Sequence, residues 1–263
     1  MPRSRGVEQR VPSLPVLARQ IAQALWQGVR DPGLPASRKW LIVGGFTASG
    51  LRLAAGTSIV RLGPRPALPM RLWEFERCPY SRMVREALSS LDLDAEVRPC
   101  PVGGARFRPE LSGGTVPRLE DPNAPATLTG AREIVAHLHQ RYGTGRPPRF
   151  VNLPPVRFAT GGAARVLTGQ RGAVARPSRA PAVPLELWSF ESSPYCRMVR
   201  AVLSELELPY LLHNVAKGSR RRRAFVEMSG KMQVPYLYDP NTSARMFESL
   251  EIERYLESTY GEA

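Results

Sequence analysis

Of the three cysteines in this 263-residue chain, Cys78 sits in a setting that could make it reactive. It falls within FERCPYSRMVR (residues 75–85), where a strand-like run gives way to an amphipathic one and Pro79 follows the sulfur. Proline suits the first turn of a helix, because its missing N–H would be unpaired there anyway. A sulfur just ahead of that turn faces unpaired backbone N–H groups and the positive end of the helix dipole, which favours thiolate over thiol. Arg77 and Arg82 are expected to add positive charge, and Tyr80 to line the site. Thiolate is the attacking species in disulfide exchange. The competing reading is an inert cysteine buried at a helix start. Ser81 stands where a dithiol enzyme keeps its resolving cysteine. A hydroxyl cannot resolve a mixed disulfide, so chemistry at Cys78 would need a second thiol from outside.

The same stretch recurs at residues 190–200 as FESSPYCRMVR, with eight of eleven positions identical at an offset of 115. Sulfur and oxygen change places: Ser193 replaces the first cysteine, Pro194 and Tyr195 follow it at the helix start, and Cys196 stands at the resolving position. Ser193 either donates a hydrogen bond to a bound thiolate or is a relic. Cys196 reads as a structural or secondary thiol, partly buried in the first helical turn. Cys100 ends a strand beside Pro101 and reads as structural.

The elements that must hold these residues repeat too. MRLWEFE (residues 70–76) and LELWSFE (residues 185–191) read as first strands. An amphipathic helix follows in each, with Met83, Val84, Ala87, Leu88 and Leu91 matched by Met198, Val199, Val202, Leu203 and Leu206. Strands are expected at 95–99 and 210–214, then at VPRLEDPN (residues 116–123) and VPYLYDPN (residues 234–241), and near 126–129 and 244–247. Each copy closes on a helix, carrying Ile134, Leu138 and Tyr142 or Ile252, Leu256 and Tyr260, with Gly143 and Gly261 as stops. The order β-α-β-α-β-β-α is the small α/β arrangement of thioredoxin-like domains. The chain thus divides into a basic N-terminal extension (1–69), repeat 1 (70–143), an Arg/Gly/Pro-rich linker (144–184) and repeat 2 (185–263). Residues 13–29 have helical spacing, and 46–56 faintly resembles 158–169, so a short helical leader is expected before each repeat.

The net charge of +14 lies outside the repeats. Residues 1–69 carry +8 and residues 144–184 carry +7, against 0 and −1 in the repeats. The excess reads either as a solvated pair of linkers or as contact with an anionic surface, peripheral membrane contact included. Nucleic acid is not expected, for want of a binding motif or aromatic residues interleaved with the basic ones. An odd cysteine count fits a reducing compartment, and no secretory signal is read in the first 30 residues, so a cytoplasmic location is expected. The apolar run of residues 40–51 is too short to span a bilayer. No metal is expected: His137 and His139 point to different helix faces, and no zinc spacing, Walker loop or dinucleotide fingerprint is present.

CPYS ahead of an RMVR helix, with VP before a later strand, resembles monothiol glutaredoxins and the N-terminal domain of glutathione S-transferases, in two tandem copies. The resemblance implies two thioredoxin-like domains with helical leaders and implies glutathione as cosubstrate. It implies that Val116–Pro117 and Val234–Pro235 are cis pairs whose valine backbone meets the cysteinyl part of glutathione. It further implies that Glu248 and Ser249, at the start of the last helix, bind the γ-glutamyl end; Gly130 and Ala131 stand there in the first copy. Basic residues near Lys217 and Arg220–Arg223 could meet the glycine carboxylate, although a solvated charge run is the simpler reading. The expected activity is glutathione-dependent thiol-disulfide exchange at Cys78 on thiol or disulfide substrates. The alternatives are a non-catalytic glutathione-binding or scaffold protein that uses its basic leaders, transferase-like conjugation, and iron–sulfur cluster binding. Conjugation is disfavoured because only two residues follow Gly261, where a full transferase carries an all-helical domain.

Overall fold

The computed structural model describes residues 35–50, 56–60, 62–145 and 171–262, with the single positions 22, 23, 26 and 30. Most of the helix expected over 13–29 and all of the leader expected over 158–169 lie outside the described residues. Helix α1 (Ala36–Gly50) precedes repeat 1. Repeat 1 comprises β1 (Met70–Glu74), α2 (Pro79–Ser90), β2 (Ala95–Pro99), β3 (Arg118–Asp121), β4 (Ala126–Thr129) and α3 (Ala131–Tyr142). Repeat 2 comprises β5 (Leu185–Ser189), α4 (Pro194–Glu205), β6 (Tyr210–Asn214), α5 (Arg222–Ser229), β7 (Tyr236–Asp239), β8 (Ala244–Phe247) and α6 (Ser249–Tyr260).

All eight strands form one sheet in the order β4-β3-β1-β2-β6-β5-β7-β8, so the two halves mirror each other about the β2–β6 junction. That junction is antiparallel, with Ala95 opposite Leu212 and Val97 opposite Tyr210. Ala95 and Val97 are themselves the counterparts of Tyr210 and Leu212, so a local two-fold axis passes between Glu96 and Leu211. Pairing closes an edge on each half-sheet that would otherwise present unpaired N–H and C=O groups.

Strand alternation divides the residues between the two faces. Met70, Leu72 and Leu119 pack under α2 and α3, as Leu185, Leu187 and Leu237 pack under α4 and α6. Trp73 and Trp188 turn to the other face, where smaller clusters form. There the halves differ. Repeat 2 lays Phe225 of α5 against Trp188 and Tyr236, whereas repeat 1 has only a 3-10 turn (Arg108–Leu111) against Trp73. The second helix expected in repeat 1 is therefore corrected to this turn. Gly103, Gly104, Pro109, Gly113 and Gly114 break up its segment, whereas RRAFVEMS runs without a breaker.

The leaders cross between repeats. Ser58 bridges Lys217 of repeat 2, and Val102 of repeat 1 bridges Val174 just ahead of repeat 2, again in two-fold relation. Gly172 needs its positive φ of 75° and its missing side chain, since a Cβ there would lie 2.9 Å from the Glu76 Cβ. DPN has a structural part in both copies. Asp121 accepts from the Tyr142 hydroxyl at 2.7 Å, as Asp239 accepts from Tyr260 at 2.5 Å. The Asn123 side chain accepts from the backbone of Ala67 and Leu68 as the chain enters β1.

Candidate functional site

Cys78 is the N-cap of α2, with φ −69° and ψ 119°, and its Sγ accepts a hydrogen bond from the Ser81 N–H at 3.4 Å. Ser193 caps α4 with nearly the same backbone, φ −72° and ψ 120°, and its Oγ accepts from the Cys196 N–H at 3.3 Å. One geometry thus offers the free amides of a helix start to sulfur in one repeat and to oxygen in the other. Cys78 is 5 % exposed, but Pro79 and Tyr80 beside it are open to solvent, Tyr80 to 43 %. In repeat 2 the corresponding rim is more covered, with Pro194 buried and Tyr195 half-buried. Cys196 is fully buried, which corrects the partial exposure expected for it. Ser81 is fully buried as well, and its Oγ has no partner among the described residues. Cys100 is buried, and burial pushes its thiol up to about 12, which suits a structural role.

Strand register gathers the remaining site residues at the same end of each half-sheet. Trp73 pairs with Arg118, so Pro117 enters β3 alongside the end of β1 that leads to Cys78. Arg118 pairs in turn with Thr129, which brings Gly130 and Ala131 there. In repeat 2 Trp188, Tyr236 and Phe247 align, bringing Pro235, Glu248 and Ser249 to the end that leads to Ser193. Val116–Pro117 and Val234–Pro235 are both cis. At the last helix start Gly130 has φ +93° and Glu248 has φ +67°. Glycine adopts that region freely, whereas glutamate does so at a cost and persists there only when its surroundings hold it. The Glu248 carboxylate is exposed and accepts from Gln233, and Ser249 is buried.

Three of the identical positions of the repeated stretch do other work. Glu76, Arg82 and Arg85, with their counterparts Glu191, Arg197 and Arg200, meet across the seam between repeats. Arg85 pairs with Glu74, with Glu76 at 3.2 Å and with Glu191 at 2.9 Å. Arg200 pairs with Glu76 and Glu191, each at 2.8 Å. Arg82 faces Glu86 at 3.1 Å and Glu191 at 3.8 Å. Arg82 is therefore an element of the seam, which corrects its expected role beside the thiol. Burial raises the Glu191 carboxyl, but the guanidinium groups of Arg200 and Arg85 outweigh it and hold Glu191 down to about 2. Burial pushes Glu74 up to about 7, against the pull of Arg85. Arg85 faces three carboxylates, which hold it firmly as a cation.

The basic run is also partly absorbed by the seam. Arg221 pairs with Asp94 and donates to the Asp92 carbonyl of repeat 1 at 2.9 Å, so the run is not simply solvated. Glu207 reaches the other way, accepting from the backbone of Ala105 at 3.1 Å and Arg106 at 3.0 Å. Sequence reasoning missed this charged seam. Its signal was available in the exact repetition of Glu and Arg at positions flanked by buried apolar ones.

The family model for the glutathione S-transferase N-terminal domain matches residues 72–148 and again residues 187–263, together more than half of the chain. The chain belongs to this family. Its two matched stretches coincide with the mirrored halves of the sheet, so the tandem thioredoxin-like architecture is established. Comparison with curated proteins and with solved structures gave no match. Repeat 2 brings Glu248, Ser249 and the cis Val234–Pro235 pair to one end of its half-sheet. Repeat 1 keeps the cis pair and the cysteine but has no side chain to match Glu248.

Proposed function

We propose that the protein catalyses glutathione-dependent thiol-disulfide exchange through Cys78. The observation that carries this reading is the Cys78 sulfur held at a helix N-cap within bonding reach of the Ser81 amide, beside a rim open to solvent. Cys78, as thiolate, attacks the glutathione sulfur of a mixed disulfide. A new S–S bond forms between Cys78 and glutathione while the old one breaks, and the substrate leaves as a thiolate. A second glutathione thiolate then attacks the glutathione sulfur of that adduct, releasing glutathione disulfide and restoring the Cys78 thiolate. Ser81 cannot compete as a resolving group, and the incoming glutathione supplies both reducing electrons. Val116–Pro117 forms the platform beside the thiol, and Tyr80 the rim.

Repeat 2 fits a binding role. Ser193 offers a hydroxyl where Cys78 offers a thiol, and Glu248 and Ser249 supply a carboxylate for the γ-glutamyl amino group and helix-start donors for its carboxylate. Reduction of a glutathione mixed disulfide by the pure protein tests the proposal. Activity lost in Cys78→Ser and kept in Cys196→Ser supports it, and activity that survives Cys78→Ser overturns it.

A further inference from the structure

The N-terminal leader carries a surface that thiol exchange does not use. Helix α1 packs on α4 with Ile42 buried, and Arg38 ties it to Glu253 at 2.7 Å. Away from that contact Trp40 is 71 % exposed, next to half-buried Lys39, Leu41 and Val43. Trp26 is 58 % exposed, with the Arg30 guanidinium 3.9 Å above its ring. Large indoles are seldom left this open on a soluble surface, whereas the other two tryptophans of the chain, Trp73 and Trp188, pack in clusters on the sheet. By sequence the leader of residues 1–69 carries +8 and the second extension, residues 144–184, carries +7.

Tryptophan prefers the boundary between headgroups and acyl chains, where an apolar ring and a polar N–H are both accommodated. A basic segment that carries such rings gains further attraction to anionic headgroups. No helix among the described residues is long and apolar enough to cross a membrane, so the contact lies on the surface. We propose that the leader docks on an anionic phospholipid bilayer through two exposed indoles, Trp26 with Arg30 and Trp40 with Lys39. Nucleic acid would match the charge, but the apolar side that Leu41 and Val43 continue beside Trp40 favours lipid.

Flotation of the full chain with vesicles tests the assignment. Vesicles of phosphatidylcholine alone should leave the protein behind. Vesicles with about 30 mol% phosphatidylglycerol should carry it up, with a blue shift of tryptophan emission and release at about 0.5 M salt. Trp26→Ala with Trp40→Ala should weaken that binding about tenfold or more without lowering the melting temperature. The proposal is overturned if anionic vesicles do not carry the protein, or if the double variant binds them as well as the parent. It is equally overturned if the protein binds single-stranded RNA or a second copy of itself while ignoring the vesicles.

Discussion

The two repeats share one frame of strands and helices and differ in the side chains it carries at two matching positions. Each caps its first helix with a small nucleophilic atom, each has a cis Val–Pro pair, and each turns through positive φ before its last helix. Repeat 1 has sulfur at the cap and glycine at the turn; repeat 2 has oxygen at the cap and glutamate at the turn. What has diverged is the side chain at the cap and at the turn. What has stayed identical, Glu76 with Glu191, Arg82 with Arg197 and Arg85 with Arg200, faces the seam. At these three positions sameness records how the halves hold each other, while at the cap and the turn the halves differ.

The largest effects are expected at the caps. Ser193→Cys sets a second thiol on a helix N-cap with Cys196 three residues on. In a Cys78→Ser background this change is expected to restore exchange to a protein otherwise inactive. Treated with glutathione disulfide as oxidant, the new thiol should pair with Cys196 in an internal disulfide, detectable by mass as the loss of two hydrogen atoms. Absence of both activity and disulfide would mean that the caps are not interchangeable.

The seam should be nearly as sensitive. Arg85→Ala leaves Glu74, Glu76 and Glu191 short of a cation in a buried site, and the loss of one partner from such a site costs about 3–5 kcal/mol. Urea unfolding reads this as a lower midpoint, and Arg200→Ala should act in the same direction. A surface arginine such as Arg254 offers the contrast, since its replacement should shift stability by less than about 1 kcal/mol.

At the turn, Glu248→Ala is expected to weaken glutathione binding about tenfold, read by calorimetry, through loss of a charge-assisted hydrogen bond. It should leave the rate of Cys78 alkylation unchanged. If the binding does not change, the γ-glutamyl anchor lies elsewhere.

The smallest effect is a pH slope. Glu74 has a folded value of about 7, raised from 4.5 chiefly by burial. Between those values the folded state holds a proton that the unfolded state has released. Stability from this group is therefore fully present below about 4.5 and is lost as pH rises through about 7, on the order of 1–3 kcal/mol. Glu191, held low, acts oppositely, losing its contribution as pH falls from 4.5 toward 2. Glu74→Gln should flatten the decline in melting temperature between pH 5 and 8 while leaving the acid limb. Its counterpart in repeat 2 is Ser189, so the slope belongs to one half of the seam alone.

Local physics was legible in the sequence wherever it was also local in space. The strands at 95–99, 210–214, 126–129 and 244–247 and the capped helices at Pro79 and Pro194 follow from apolar spacing, proline and glycine. The cis pairs and the turn residues came from the family resemblance and are present in the structure, or placed at the sheet end, as it implied. The β2–β6 junction was not legible, because an edge strand in a half-sheet looks the same whether it meets water or another edge. The seam roles of Arg82 and Arg85 were hidden for the same reason: the partner they share there, Glu191, lies more than a hundred residues away in the other copy. The 3-10 turn at Arg108–Leu111 was misread by analogy, although the glycines around it spelled out the break.

Incubation of the full protein with glutathione disulfide, followed by intact-mass and peptide analysis, tests the central claim most directly. All three cysteines are buried, but only Cys78 caps a helix beside an open rim. A single glutathione adduct on Cys78, removed again by reduced glutathione, is the predicted result. An unmodified protein, or an adduct on Cys100 or Cys196 with Cys78 intact, would contradict it.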